Sequence, residues 1–271
     1  MKTFAPEYYS GFRCIAGECR HSCCLKWEVD IDEESVEKYL KVPGEFGKRL
    51  KKNIIYDENS DLPHFRMTDE RCEFLNDRNL CDIFTELGEE SLCQICTDHP
   101  RFRNFFTGRT EIGLGLACEE AGRIILSSKE AFSLIEISDD GEQEEGDFFE
   151  TDLLELRNDL FDILKNRKKS TDDRIIEMLR FCDFDTSGII YEEGTVDDMA
   201  CEQLACYLLY RHMADAIYDN RLEERIMFVA ESYMKIRNIW AKSTDKSLSF
   251  MVETARQFSE EVEYNTETWG F

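Results

Sequence analysis

From residue 148 onward, apolar positions recur at helical spacing. Residues 148–167 place apolar side chains at 149, 153, 154, 156, 160, 161, 163 and 164, the three- and four-residue rhythm of one helix face. Residues 172–181 continue it. Thr195 is placed to cap a long helix reaching about residue 220, since its hydroxyl can accept from an early backbone N–H. Two more helices fit 221–242 and 246–263.

The first half has a different pattern. CEFLNDRNLC (72–81) reads as a hairpin turning near Asn76-Asp77, which would set Cys72 opposite Cys81. RFRNFFTGRTEIGLGL (101–116) reads as a second hairpin turning at Thr107-Gly108. CEEAGRIIL (118–126) follows as a short helix and AFSLIEI (131–137) as a strand. Gly113 and Gly115 lie on a predicted strand, where a packing role fits better than a nucleotide-binding turn. SDDGEQEEGD (138–147) is polar and acidic, as expected of a linker or exposed loop. The fold class expected is α+β. A cysteine-rich, metal-binding half with short hairpins and helices (1–137) precedes the acidic linker (138–147) and a mainly helical half (148–271).

Charge narrows the partners. The 58 acidic residues against 33 basic give a net charge of −25, which repels nucleic acid and anionic membranes and favours a cationic protein surface. No run resembles a signal-peptide core or approaches the roughly 20 apolar residues of a membrane span. A reducing cytoplasm is the expected location, so the 12 cysteines are expected as metal-binding, redox-active or buried thiols rather than staples.

Nine of those cysteines precede residue 119, and CIAGECRHSCC (14–24) holds four of them. Gly17 lets the backbone curl between Cys14 and Cys19. Cys19 and Cys23 would share a face on a helical turn, with Cys24 about 100° further round. Cys93-x-x-Cys96 is a chelating spacing, and thiolates suit zinc or an iron–sulfur cluster. With four histidines in the chain, the iron–sulfur reading is preferred. His21 is the one nitrogen ligand near the cluster, although an exposed loop position suits it better. Cys182, Cys201 and Cys206 lie in helical, apolar surroundings and read as small buried hydrophobes.

Read in order, GECRHSCCLKWEVDID (17–32), RCEFLNDRNLCDI (71–83), LCQICTDHPR (92–101) and LACEEAGRIIL (116–126) resemble the flagellin lysine-N-methylases. These belong to a wider group carrying a zinc- or iron-chelating cysteine domain. The stretch YLLYRHMADAIYD (207–219) resembles the helical region of the same family. The matching cysteines are Cys14, Cys19, Cys23, Cys24, Cys72, Cys81, Cys96 and Cys118, and the resemblance implies that they are the metal ligands. Cys93 is an addition to the pattern, and His99 stands where an aromatic residue is usual.

The resemblance further implies methyl transfer from S-adenosylmethionine to lysine side chains of flagellin, with a 4Fe–4S cluster or, alternatively, zinc. A non-catalytic chelating module is the other reading. Methylation needs a neutral lysine, whose ordinary pKa is near 10.4. Glu119 and Glu120 are candidate bases, though a solvated first helical turn accounts for them more simply. Arg101 and Arg103 are candidates to balance a cluster's charge or to hold the donor's carboxylate, with surface pairing the plainer role. The sequence lacks the CxxxCxxC triad of radical-type adenosylmethionine enzymes and leaves the donor site unassigned.

Overall fold

The computed structural model describes residues 1–57, 60–141 and 148–263. In chain order it begins with strand β1 (Lys2–Pro6), helices α1 (Glu33–Lys41) and α2 (Gly44–Asn53), and the two-residue strands β2 (Ile54–Ile55), β3 (His64–Phe65), β4 (Met67–Thr68) and β5 (Arg71–Cys72). Short helices α3 (Asp82–Leu87) and α4 (Gln94–Asp98) lead to β6 (Arg101–Phe106), β7 (Arg109–Leu114), α5 (Glu119–Ser127) and β8 (Leu134–Asp139). Helices α6 (Phe148–Leu164), α7 (Thr171–Phe181), α8 (Asp198–His212), α9 (Ala216–Asp219), α10 (Leu222–Lys242) and α11 (Leu248–Val262) complete it. The architecture is mixed, with small sheets and a helical carboxyl-terminal half.

Two compact units divide the chain. One is Arg13–Pro100; the other joins Met1–Phe12 to Arg101–Phe271. The larger unit holds a four-stranded sheet in the order β6-β7-β1-β8. β6 and β7 form the expected hairpin, with Phe106 opposite Arg109 across the turn. β1 runs parallel to β7 and antiparallel to β8. Alternation sets the faces of β6: Phe102, Asn104 and Phe106 are buried, while Arg103 and Phe105 are exposed.

Helix α8 lies at the centre of the helical part. Every residue from Ala200 to Tyr210 is buried, which explains its weak amphipathic pattern: a helix enclosed on all sides has no solvent face to mark. Its buried Glu202 and Gln203 side chains are accommodated. Glu202 receives Arg174 at 2.6 Å and Arg167 at 2.8 Å, and Gln203 donates to the Glu130 carbonyl at 2.7 Å. Asp197, rather than Thr195, caps this helix, accepting from the backbone N–H groups of Met199 and Ala200. The helix stops at His212, and a tighter turn at Met213–Asp215 separates it from α9.

The acidic stretch is not where the units part. Ser138 and Asp139 end β8, paired with Thr3 and Lys2, and residues 142–147 lie outside the described residues. The hairpin at 101–114 and α5 belong with the helices, because Phe102, Phe106, Leu114 and Ile125 share one core with residues of α6, α8, α10 and α11.

The smaller unit has little regular structure. Its core consists of Val29, Ile31, Val36, Tyr39, Leu50, Ile54, Phe65, Phe74, Leu75, Ile83 and the side chains of Cys72 and Cys93. Phe65 is its hub, with ring centroids 5.7 Å from Tyr39 and 5.0 Å from Phe74. Asp32 caps α1, accepting from Ser35 N–H at 2.9 Å. Eight of the 12 cysteines lie in this unit.

Candidate functional site

The thiols of the smaller unit are positioned mainly by loops. Asp69 and Glu70 both have positive φ (51° and 59°), so β4 and β5 join through a two-residue hairpin turn of the primed type. Cys72 therefore pairs with Met67, not with Cys81, which instead bridges to Leu75. The expected 72–81 hairpin is thus a tight turn, in which the Asn76 side chain accepts from the N–H groups of Arg78 and Leu80. The Cys72 N–H donates to the Cys24 carbonyl at 3.0 Å, tying the first cysteine loop to β5. Cys81 precedes α3 and Cys93 precedes α4.

All 12 cysteines are thiols, with no disulfide between them. Cys93 is fully buried; its Sγ lies 3.4 Å from Cys96 Sγ and 3.6 Å from the Asp30 carbonyl oxygen. A hydrogen bond with the Cys96 side chain holds the Cys93 thiol below its ordinary value against the effect of burial. The same bond, then burial, then charge on Cys93, Cys24 and Cys81 push Cys96 up. Burial raises Cys72 to about 12, with Cys24, Cys81 and Cys93 adding to it. Cys81 is raised by burial, with a contribution from Cys24. Cys24 goes the other way: the Cys23 side chain lowers it to about 7 against burial, helped by Ser22 and the charge of Arg71. Cys24, Cys72, Cys81, Cys93 and Cys96 therefore share one electrostatic neighbourhood.

Four of these five were expected as ligands, and the fifth, Cys93, stands outside the family pattern. Cys14 is exposed and its sulfur accepts from the Ala16 N–H at 3.3 Å, while Cys23 is exposed beside Cys24. Cys19 is extended, not helical, and its thiol donates to the His21 carbonyl at 3.0 Å; the shared-face argument for Cys19 and Cys23 does not apply. His21 is half-buried. Cys118 belongs to the larger unit, where it precedes α5. Gly17 serves close approach, since a Cβ there would stand 2.9 Å from the Arg78 carbonyl oxygen.

Among the described residues, no three His, Cys, Asp or Glu side chains converge to clasp one ion. The donor chemistry nevertheless suits a soft metal. Two thiolates on one tetrahedral zinc, each about 2.3 Å away, lie about 3.8 Å apart, close to the 3.4 Å between Cys93 and Cys96. The structure thus supplies a chelating pair with three more thiols nearby, not a closed ligand set.

In the larger unit, Glu120 is buried and gives both carboxylate oxygens to Arg123, at 2.6 and 2.7 Å. It is not the solvated first-turn residue expected, since both of its oxygens are engaged by Arg123. Arg101 donates to the Tyr9 hydroxyl at 3.0 Å and lies 5.4 Å from the Phe12 ring centre, so it packs against aromatics. Gly113 packs as expected: a Cβ there would meet the Phe102 ring at 2.2 Å. Cys201 and Cys206 are fully buried and raised to about 12 by burial.

Helical spacing alone does not mark the buried polar group around Glu263. Its carboxylate accepts from Ser259 at 2.6 Å and Tyr207 at 2.8 Å, and lies 3.0 Å from His212 Nε2. The Tyr207 hydroxyl in turn accepts from the Leu116 N–H, two residues before Cys118. Tyr207 and His212 both fall within the stretch resembling the family's helical region, so that signal was available.

The chain is similar to two proteins named Lysine-N-methylase, from Salmonella typhimurium and Salmonella choleraesuis. Each is 26% identical over 136 residues, which is 48% of this chain and 34% of the relative. It is also similar to the flagellar biosynthetic protein FliU of Salmonella muenchen, 25% identical over 134 residues, 48% of this chain and 79% of that protein. The match therefore spans about a third of the length of the two methylases. No protein-family model matches the chain, and no solved structure matches it.

Proposed function

We propose that this protein is a lysine methylase acting on flagellin, with S-adenosylmethionine as donor and a thiolate-bound iron–sulfur cluster in the smaller unit. The observation that carries the reading is the similarity to the two Salmonella lysine-N-methylases. The name of the FliU relative supports the flagellar connection. The ligands implied by the sequence resemblance are Cys14, Cys19, Cys23, Cys24, Cys72, Cys81, Cys96 and Cys118, and the Cys93–Cys96 pair in the smaller unit supports thiolate binding there.

The composition of the smaller unit supports a metal there. It has a modest core, mostly irregular backbone and unbridged thiols, a combination that small domains commonly reinforce with a metal. When bound, the cluster would supply a structural clamp, an open iron position to anchor the donor's amino and carboxylate groups, or electron transfer. The chain's acidic surplus suits a lysine-bearing partner.

A second reading, a chelating module without catalysis, follows from coverage: the match takes in only 34% of each methylase. The intact mass of flagellin co-expressed with and without this protein separates the two. The methylase reading expects a ladder of about 14 Da steps on lysine. An unchanged flagellin mass, with metal stoichiometrically bound, leaves the chelating module.

A further inference from the structure

We propose that Cys93 and Cys96 form an oxidisable dithiol, which a hydroperoxide closes into an intramolecular disulfide and a small thiol reopens. Their sulfurs are 3.4 Å apart, against about 2.05 Å in a disulfide, so closure needs little more than an ångström of movement. Cys93 immediately precedes α4 and Cys96 lies in its first turn, so the ring to be closed is short and its ends are already held together. Burial distinguishes their roles. Cys96 is half-buried and Cys93 fully buried, so Cys96 is the more accessible of the two to a small oxidant and Cys93 is assigned as the resolving thiol.

The chemistry balances with hydrogen peroxide as oxidant. Cys96 is oxidised to its sulfenic acid, and one water leaves. The Cys93 sulfur then attacks the Cys96 sulfur, the S–S bond forms, and the hydroxyl departs with the Cys93 proton as a second water. Two electrons pass from the sulfurs to the peroxide. This pairing rests on the sulfur–sulfur distance and not on the metal reading. If the same sulfurs also hold a metal, closure withdraws both donors.

The test uses the full chain. Metal content is measured first, which addresses the reading above separately. The chain as purified is then treated with hydrogen peroxide, alkylated and digested with trypsin. The peptide 79–101 carries Cys81, Cys93 and Cys96. The proposal expects it to lose about 2 Da, to be alkylated only at Cys81, and to regain all three alkylation sites after reduction. Cys93→Ser should abolish the loss and send Cys96 on to sulfinic acid; Cys81→Ser should leave the bond intact. Alkylation of Cys93 after oxidation of the wild-type chain overturns the proposal. So does a disulfide from Cys96 to Cys24, Cys72 or Cys81.

Discussion

Arg157 of α6 places both terminal nitrogens on the Glu111 carboxylate of β7, at 2.6 and 2.8 Å, with neither side chain more than 1% exposed. The pair locks a helix onto the sheet, and the rings of Phe106, Phe161 and Tyr210 surround the guanidinium within 6 Å. Removing Arg157 leaves the buried Glu111 carboxylate with Arg109, a partly exposed partner, in place of its bidentate buried one. Arg157→Leu is expected to destabilise the protein by about 3–5 kcal/mol, whereas Arg157→Leu with Glu111→Met should recover much of that loss. Urea unfolding of both variants checks this; equal losses would show that the buried charge is not the cause.

Asp32 joins two distant segments. One carboxylate oxygen caps α1 at Ser35, and the other accepts from the Gln94 N–H at 2.8 Å, beside Cys93. Asp32→Ala should cost about 1–2 kcal/mol. Asp32→Asn, which keeps one acceptor oxygen, should cost less. Amide hydrogen exchange should speed up at Ser35 and Gln94 in the alanine variant, and unchanged exchange at Gln94 would remove the second contact.

The Glu263 group makes stability depend on pH. Burial alone would raise this carboxyl, but His212, Arg211 and Ser259 outweigh it and hold the group below the ordinary 4.5. A depressed carboxyl stabilises the fold fully above its unfolded value and loses that contribution as pH falls through the folded one. Glu263→Gln should therefore be less stable than wild type at pH 7, by about 1–3 kcal/mol, and the gap should narrow below about pH 4. Thermal unfolding of both proteins across that range decides it; a gap constant with pH would contradict the sign.

Gly113 leaves no room for a side chain against Phe102. Gly113→Val should destabilise by about 1–3 kcal/mol through overpacking. Adding Phe102→Leu should relieve part of the cost, which a double-mutant cycle in urea would measure.

The two sets of cysteines should separate by metal content. Cys96→Ala and Cys72→Ala should lose the metal of an anaerobically purified sample, and with it the order of the smaller unit, since site formation is coupled to folding. Cys201→Ala, deep in the other core, should keep full metal content at a stability cost of about 1 kcal/mol. Equal metal loss in all three variants would overturn this division.

The helices of the second half were legible because each carries its own periodic stripe, and α6, α7, α10 and α11 fall close to where the spacing put them. The end of α8 was not, because the apolar run continues through Met213 and Ala214 although the backbone tightens there. β1 left little local trace. Its five residues end in Pro6, and its partners lie about a hundred residues away. The hairpin at Asp69-Glu70 lacks the Asn-Gly or Asp-Gly pair that normally marks such a turn, so Cys72 was paired with the wrong partner. The positions of the thiols could be read from the chain, but their grouping required loops that no periodicity describes.

The placement of β1 also bears on how the protein is made. Its neighbours, β7 and β8, end at Leu114 and Asp139, with the whole of Arg13–Pro100 between β1 and the first of them. On the ribosome, the opening strand must wait unpaired while the thiol-bearing unit emerges and begins to fold. The sheet can close only after Asp139 has been translated, so its assembly is governed by long-range encounters instead of by neighbours in sequence.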